Sequence, residues 1–227
     1  MIILGINTAT TCLSLALLND HKVLLEKTVE GPTAKAEQLI PWLEELLSQV
    51  NLSLKGLQGI GIAQGPGAFT GLRIGVTTAK TLAQMLSIPL VGISTIEAYA
   101  YQFIKNKTAP LIRIILKACR DELNTALFSI NNGTLVQLEE DHPEKQEMLF
   151  ERIRNENSSL AGDIPKDFSS RKLPGEPTAV SIAKLAGDKI KKGEVSDPLK
   201  LIPIYSHGPN IKLSPRIHGK LLNKNGN

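Results

Sequence analysis

The segment Gln64 to Lys80, QGPGAFTGLRIGVTTAK, constrains this chain more than any other, because it runs an apolar strand into a helix through closely spaced glycines and one proline. Upstream, Gly59-Ile60-Gly61-Ile62-Ala63 is a short apolar run bounded by turn residues, the pattern of a buried strand. Downstream, Leu72, Val76, Ala79, Ala83 and Leu86 recur at steps of three and four and share one helical face. Thr70 is the expected N-cap, and Ser87-Ile88-Pro89 should end the helix, since the residue before proline is pushed out of the α region. The glycines therefore lie in a strand-to-helix turn, where free backbone N–H groups and the helix dipole favour an anion. Thr8, Thr10, Gly65, Gly67, Thr70 and Gly71 form the expected phosphate or anion loop. The competing reading is that these glycines only allow a tight turn and close helix–strand packing. The turn has neither a Walker lysine nor dinucleotide-fold spacing. Arg73 opposes the dipole from the first turn, so it asks for a negative partner, either a bound anion or a nearby carboxylate.

Ile2 to Ile6, Cys12 to Leu18 and Val23 to Lys27 read as a three-stranded meander, the last two joined at Asn19-Asp20-His21. A helix is expected from about Ala34 to Val50, with Leu39, Leu43, Leu46 and Val50 on one stripe and Ile40, Trp42 and Leu47 widening it. Its apolar arc spans about 160°, against the roughly 100° that one-sided burial needs, so either a second surface packs on it or its own lobe buries it deeply. Pro41 should kink that helix or mark the start of its regular part. The strand Leu90 to Ile93 and a helix from about Thr95 complete the series, and residues 105–110 are the expected hinge. A second series opens with three strands, Leu111 to Leu116, Leu123 to Ile130 and Thr134 to Leu138. Helices near Pro143 to Arg154 and Thr178 to Lys192 follow, flanking a loop-rich segment. Two units that both open with three strands imply a duplicated α/β architecture: residues 1–105 as one lobe, 106–206 as the other, and 207–227 as a basic tail.

Charge locates no nucleic-acid surface on the body. Four of the 26 basic residues, Lys212, Arg216, Lys220 and Lys224, lie in the tail, which has no acid, leaving 22 basic and 22 acidic side chains before it. Such a tail could add only sequence-independent, salt-sensitive phosphate affinity. No apolar run approaches the roughly 20 residues needed to span a bilayer, and the amino-terminal residues read as a strand, so a cytoplasmic, membrane-free protein is expected. Cys12 and Cys119 read as buried small apolar residues rather than a disulfide or zinc pair, and no two of the four histidines have ligand spacing, so no metal is expected.

The meander with Asn7-Thr8-Ala9-Thr10, the pattern AEQLIPWL, the turn GPGAFTGLRIG and the following SIPLVGIST together resemble the TsaB family, over about residues 1 to 100. Members are bacterial partners in making threonylcarbamoyladenosine in tRNA, and the resemblance implies their actin-like (ribonuclease H-like), two-lobed fold with mixed sheets flanked by helices. It also implies a non-catalytic subunit that forms a heterodimer with its catalytic relative TsaD and supports TsaE, with tRNA engaged indirectly. The implied contact is helix-built, through Leu39, Trp42, Leu43, Leu72, Arg73 and Val76. TsaD carries a metal-binding His-x-x-x-His pair where this chain has Thr95 and Tyr99, which are poor ligands for the same ions.

Asn7 stands where the family pattern has aspartate, the carboxylate that organises magnesium and phosphate in the actin-like fold. Further departures are Lys35 for a histidine, Lys117-Ala118-Cys119 for Asp-Ala-Arg, with Arg120 and Glu122 retained, and Tyr205-Ser206-His207 for Tyr-Leu-Arg. The resemblance therefore implies no catalytic residues and no intrinsic cofactor, with ATP or ADP admitted only at a partner interface; a homodimer of the free chain stays open. The alternative is an actin-like ATPase or kinase-like module acting alone, holding phosphates at Thr8 to Thr10 and Gly65 to Gly71. A peptidase fares worst, lacking both a metal pair and a placed nucleophile and base.

Overall fold

A computed structural model describes residues 1–30, 36–104 and 110–206. The opening meander is β1 (Ile2–Asn7), β2 (Cys12–Asn19) and β3 (Lys22–Glu30), paired antiparallel, with Asp20 at φ 52° in the β2–β3 turn. A 3-10 turn at Ala36–Gln38 leads into helix α1 (Leu39–Gln49). Pro41 lies in its first turn, where the missing N–H would have no helical partner anyway, so the proline marks the start of the helix. Then come β4 (Gly59–Gly65), α2 (Phe69–Leu86), β5 (Leu90–Ser94) and α3 (Thr95–Tyr101). Helix α2 ends as expected, with Ser87 in the left-handed region at φ 53°. In the first sheet the order is β3-β2-β1-β4-β5, with β1, β4 and β5 parallel.

The second series repeats the pattern. Strands β6 (Leu111–Lys117), β7 (Glu122–Asn131) and β8 (Thr134–Lys145) form a meander, helix α4 (Gln146–Arg154) follows, and β9 (Ser159–Gly162) pairs parallel with β6. The resulting order β8-β7-β6-β9 matches the first four positions of sheet one. Three antiparallel strands, then parallel ones, helices on the faces, twice over: this is the duplicated actin-like, ribonuclease H-like arrangement.

Three expectations need correction. Strand β8 runs on to Lys145 with Pro143 inside it, which a proline tolerates because β8 is an edge strand, so the helix starts at Gln146. The expected loop-rich segment contains β9, only four residues long and too short to show a period. Helix α5 (Ala179–Lys191), capped by the Thr178 hydroxyl, belongs spatially to the first sheet: Ala179, Ala183 and Ala186 share a core with Ile3, Ala16 and Val91. Residues 106–206 therefore do not form one lobe. Conversely, α3 covers the second sheet, where Ile96, Tyr99 and Phe103 pack with Ile112, Ile114 and Phe128. The expected hinge falls largely on 105–109 and the tail on 207–227, both outside the described residues.

Arg113 sits in mid-β6 with 1% of its side chain exposed. Its guanidinium donates to both oxygens of Glu156 at 2.6–3.1 Å, to Glu139 at 2.7 Å and to the Thr125 hydroxyl at 3.2 Å. Arg152 bonds Glu139 at 2.9 Å and also holds Glu144, so the network ties β6, β7, β8 and α4 together. Glu139, His142 and Glu144 present atoms within 4.8 Å of one another, but those carboxylates are held by arginines. Cys12 is buried, which pushes its thiol up to about 11, whereas Cys119 is exposed in the β6–β7 turn, against expectation.

Candidate docking face and interlobe cleft

One face of the first sheet is filled by α5, and the other carries α1 and α2. On α1, Leu39, Trp42, Leu43, Leu46 and Leu47 are buried beside Leu4, Leu15 and Ile62 of the sheet, and on α2 Val76 joins the same core. Leu72 has no exposed surface, and Trp42 has 8%. The wide arc is thus largely buried by the chain's own lobe. Five of the six expected contact residues, Leu39, Trp42, Leu43, Leu72 and Val76, are buried; Leu39, Trp42, Leu72 and Val76 hold the helices from beneath, and Leu43 alone of the five also reaches the wall of an outer groove. Exposed apolar residues on these two helices are Ile40 at 44%, Phe69 at 45% and Met85 at 71%, and between the helices lies a groove of about 340 Å³. Leu43, Leu47, Leu52, Leu54 and Leu82 line it with Ile40, and its walls are mainly apolar. Lys27 lies 4.9 Å from the centre of the Trp42 ring and is paired with Glu45, closing that side.

Arg73, the sixth residue, is exposed on the first turn of α2, with its guanidinium 3.8 Å from the Phe69 ring centre and its Nε donating to the Tyr205 hydroxyl at 3.1 Å. Neither a carboxylate nor an anion pairs with it among the described residues; an aromatic face takes that place.

The expected anion loop is largely occupied by the chain's own backbone. Helix α2 starts at Phe69 from Ala68, so Thr70 lies inside the first turn and caps nothing. The Ala68 N–H, which could have faced a ligand, donates to Ala9 O at 2.7 Å. A Cβ at Gly67 would overlap Ala9 O, and one at Gly71 would overlap Thr8 O, so these glycines let α2 press against the β1–β2 loop. Gly65, at φ 122°, lies under the carbonyl of Ile204. The Thr8 hydroxyl is buried with no hydrogen-bond partner, while Thr10 Oγ1 accepts from Cys12 N and Asn7 Nδ2. Close packing accounts for this turn. Gly71→Ala is accordingly expected to destabilise the chain by about 2–4 kcal/mol, although in an ordinary helix interior the same change stabilises by about 1 kcal/mol. Urea unfolding measures the sign, and a gain in stability would refute the packing argument.

Between the lobes lies a cleft of about 330 Å³ lined by Thr10, Gly67, Lys117, Asp163, Glu176 and Tyr99. Asn7, where an actin-like enzyme needs a carboxylate, is fully buried and engaged: Nδ2 donates to Pro177 O at 2.7 Å and Oδ1 accepts from Ala9 N at 3.0 Å. Burial first, then Asp163 and Glu30, raise the Glu176 carboxyl above its usual range. Tyr99 is buried and donates to Gly175 O; burial and the nearby acids hold its phenol well above the ordinary value. Thr95 is also fully buried and its hydroxyl has no partner. Asp163 and Glu176 are of a type that can hold a cation, but Asn7 is neutral and engaged, and Thr10 and the Ala68 N–H are taken by the chain itself, so the phosphate side of a magnesium–polyphosphate group is not provided for.

Comparisons with known proteins identify the relatives of this chain. The family model for TsaD, tRNA N6-adenosine threonylcarbamoyltransferase, matches residues 32–186. The tRNA threonylcarbamoyladenosine biosynthesis protein TsaB of Bacillus subtilis is 35% identical over 220 residues, covering 90% of this chain and 93% of that protein. Its Escherichia coli counterpart is 30% identical over 155 residues, covering 68% of this chain and 67% of that protein. A Listeria monocytogenes tRNA N6-adenosine threonylcarbamoyltransferase is 39% identical over 154 residues, but these cover 67% of this chain and only 40% of the enzyme. A crystal structure of a Pseudomonas aeruginosa protein described as similar to the peptidase YeaZ superposes with a TM-score of 0.77 at 23% identity, covering 91% of this chain and 99% of that one, and shows the same fold. The near full-length match, added to the two-lobed fold and the glycine turn that seats α2, places this chain in the TsaB family of tRNA threonylcarbamoyladenosine biosynthesis proteins.

Proposed function

We propose that this chain is a non-catalytic docking subunit in threonylcarbamoyladenosine modification of tRNA, pairing with the threonylcarbamoyltransferase TsaD through α1 and α2. The observation that carries this reading is the apolar groove between α1 and α2, with Ile40 at its rim, which no helix among the described residues closes from outside. Apolar grooves rimmed by polar side chains mark protein contacts. The choice of occupant is supported by a transferase 39% identical over 154 residues: a relative of that kind would present an equivalent helix pair to a pseudo-symmetric bundle. TsaE and tRNA would then engage the assembled pair, and any ATP or ADP would sit at a boundary with a partner rather than in this chain's own cleft.

The test combines binding with reconstitution. The sole tryptophan, Trp42, lies beneath the proposed contact, so its fluorescence is expected to change on titration with the cognate TsaD. Modification of tRNA is expected to require both proteins, and this chain alone is expected to show no turnover with magnesium–ATP by calorimetry and phosphate release. Micromolar nucleotide binding with turnover by the isolated chain would replace this reading with the ATPase one.

A further inference from the structure

After α5 the chain runs along the outer flank of α2 and the edge strand β5 as a strap. Ser196 N donates to Leu90 O at 2.8 Å, and Lys80 Nζ reaches Leu201 O at 2.8 Å. Leu201 is buried in the core beneath α2. Gln64 Nε2 donates to Ile202 O at 2.8 Å, and Ile204 N donates to Gln64 O at 2.8 Å. Up to Ile204 the strap is therefore anchored by backbone bonds and by a buried side chain.

Beyond Ile204 side-chain contacts take over, and Tyr205 is half-buried at the margin of the core that holds Ala9 and Leu72. Tyr205 rests on Phe69 with ring centres 5.0 Å apart and accepts one hydrogen bond from Arg73. Ser206 accepts one from Asn124 Nδ2 at 2.7 Å. Phe69 remains 45% exposed, and the charge-assisted bond from Arg73, the stronger of the two hydrogen bonds, lies open to solvent. Arg73 meanwhile carries a full charge at the positive end of an 18-residue helix, with no carboxylate within ion-pair distance among the described residues. An aromatic ring and a phenol oxygen offset that charge less well than a carboxylate would.

We propose that Tyr205 is a displaceable latch over the corner formed by Arg73 and Phe69, and that the corner accepts a carboxylate-bearing segment of the partner protein once the latch lifts. The proposal rests on the docking role above, because the corner lies on the first turn of α2. The strap stays seated through Leu201, so among the described residues only Tyr205 and Ser206 have to move. The free protein thus holds its unpaired cation covered, and binding exchanges a phenol for an ion pair.

The full chain, labelled with fluorotyrosine at its three tyrosines and assigned with Tyr205→Phe, is titrated with cognate TsaD at two salt concentrations. Tyr205→Ala is expected to bind about threefold to tenfold more tightly, because it removes the competitor. Arg73→Gln should bind about tenfold more weakly and lose part of the salt dependence. On binding, the Tyr205 fluorine resonance should move to the position it takes in free Phe69→Ala, where the ring has lost its stack. Weaker binding by Tyr205→Ala, or a resonance that stays at its stacked position in the complex, would overturn the latch. If both corner variants bind normally while Ile40→Glu does not, the latch is wrong and the docking role stands. No binding by the unaltered chain overturns both.

Discussion

An Ile40→Glu chain is expected to fold normally and to lose about a hundredfold in affinity for TsaD, a change of about 3 kcal/mol. The fold should be spared because Ile40 is half exposed and lies in the first turn of α1, where an added carboxylate interacts favourably with the helix dipole. The affinity should fall because the same carboxylate would have to be desolvated against the leucines of the groove. Leu138→Glu, at an exposed apolar position on β8 of the other sheet, is the matched control and should bind as the unaltered chain does. Calorimetric titration of each variant with TsaD measures the difference, and circular dichroism checks the fold. Equal affinities for the three proteins would move the contact off the helical face.

Arg113→Ala is expected to cost about 3–5 kcal/mol of stability, the usual penalty when one partner of a buried ion pair is removed. Glu156 would lose all three bonds from the guanidinium, whereas Glu139 would keep Arg152. The same network predicts an acid response. Burial alone would raise the Glu139 and Glu156 carboxyls, but hydrogen bonds from Arg113 outweigh it and hold both below the usual carboxylate range. Groups depressed in this way stabilise the fold above their unfolded values, near pH 4, and that contribution disappears as pH falls through their folded values. The unaltered protein should therefore lose stability steeply below about pH 4. In Arg113→Ala the depression is relieved, so the stability lost between neutral and acid pH should shrink. Asp141 has the opposite sign: burial holds its carboxyl up despite bonds from Ser94 and Gln137, so its protonation cannot explain an acid loss. Urea midpoints at pH 7 and at about pH 2.5 for both proteins, which bracket the titration of the depressed carboxyls, decide the matter, and parallel losses would place the acid-sensitive groups elsewhere.

Local pattern carried much of this protein on its own. The apolar strands of the meander with their Asn19-Asp20-His21 turn, the apolar run into the glycine turn and the three-to-four spacing of α2 are all set by side chains adjacent along the chain. The triple-strand opening of each half was enough to expect a duplicated α/β fold. The turn at Asn19-Asp20-His21 and the end of α2 at Ser87 were legible too, although the left-handed backbone at Asp20 and Ser87 was not. The exclusion of a histidine pair at Thr95 and Tyr99 was likewise a matter of reading positions.

What the sequence could not decide was which apolar surface meets which. Trp42, Leu72 and Val76 look identical in pattern whether a partner or the chain's own sheet covers them, because hydrophobic burial has no direction. Only the packed lobe assigns them inward and leaves Ile40 and the groove outside. The exchange of α3 and α5 between the sheets, the strap that brings Tyr205 onto Arg73, and the seating of Gly71 against Thr8 join residues distant in the chain. Contacts of that kind leave no periodic mark, so tertiary structure alone determined that the glycine turn is filled by backbone and that the open face lies on the helices.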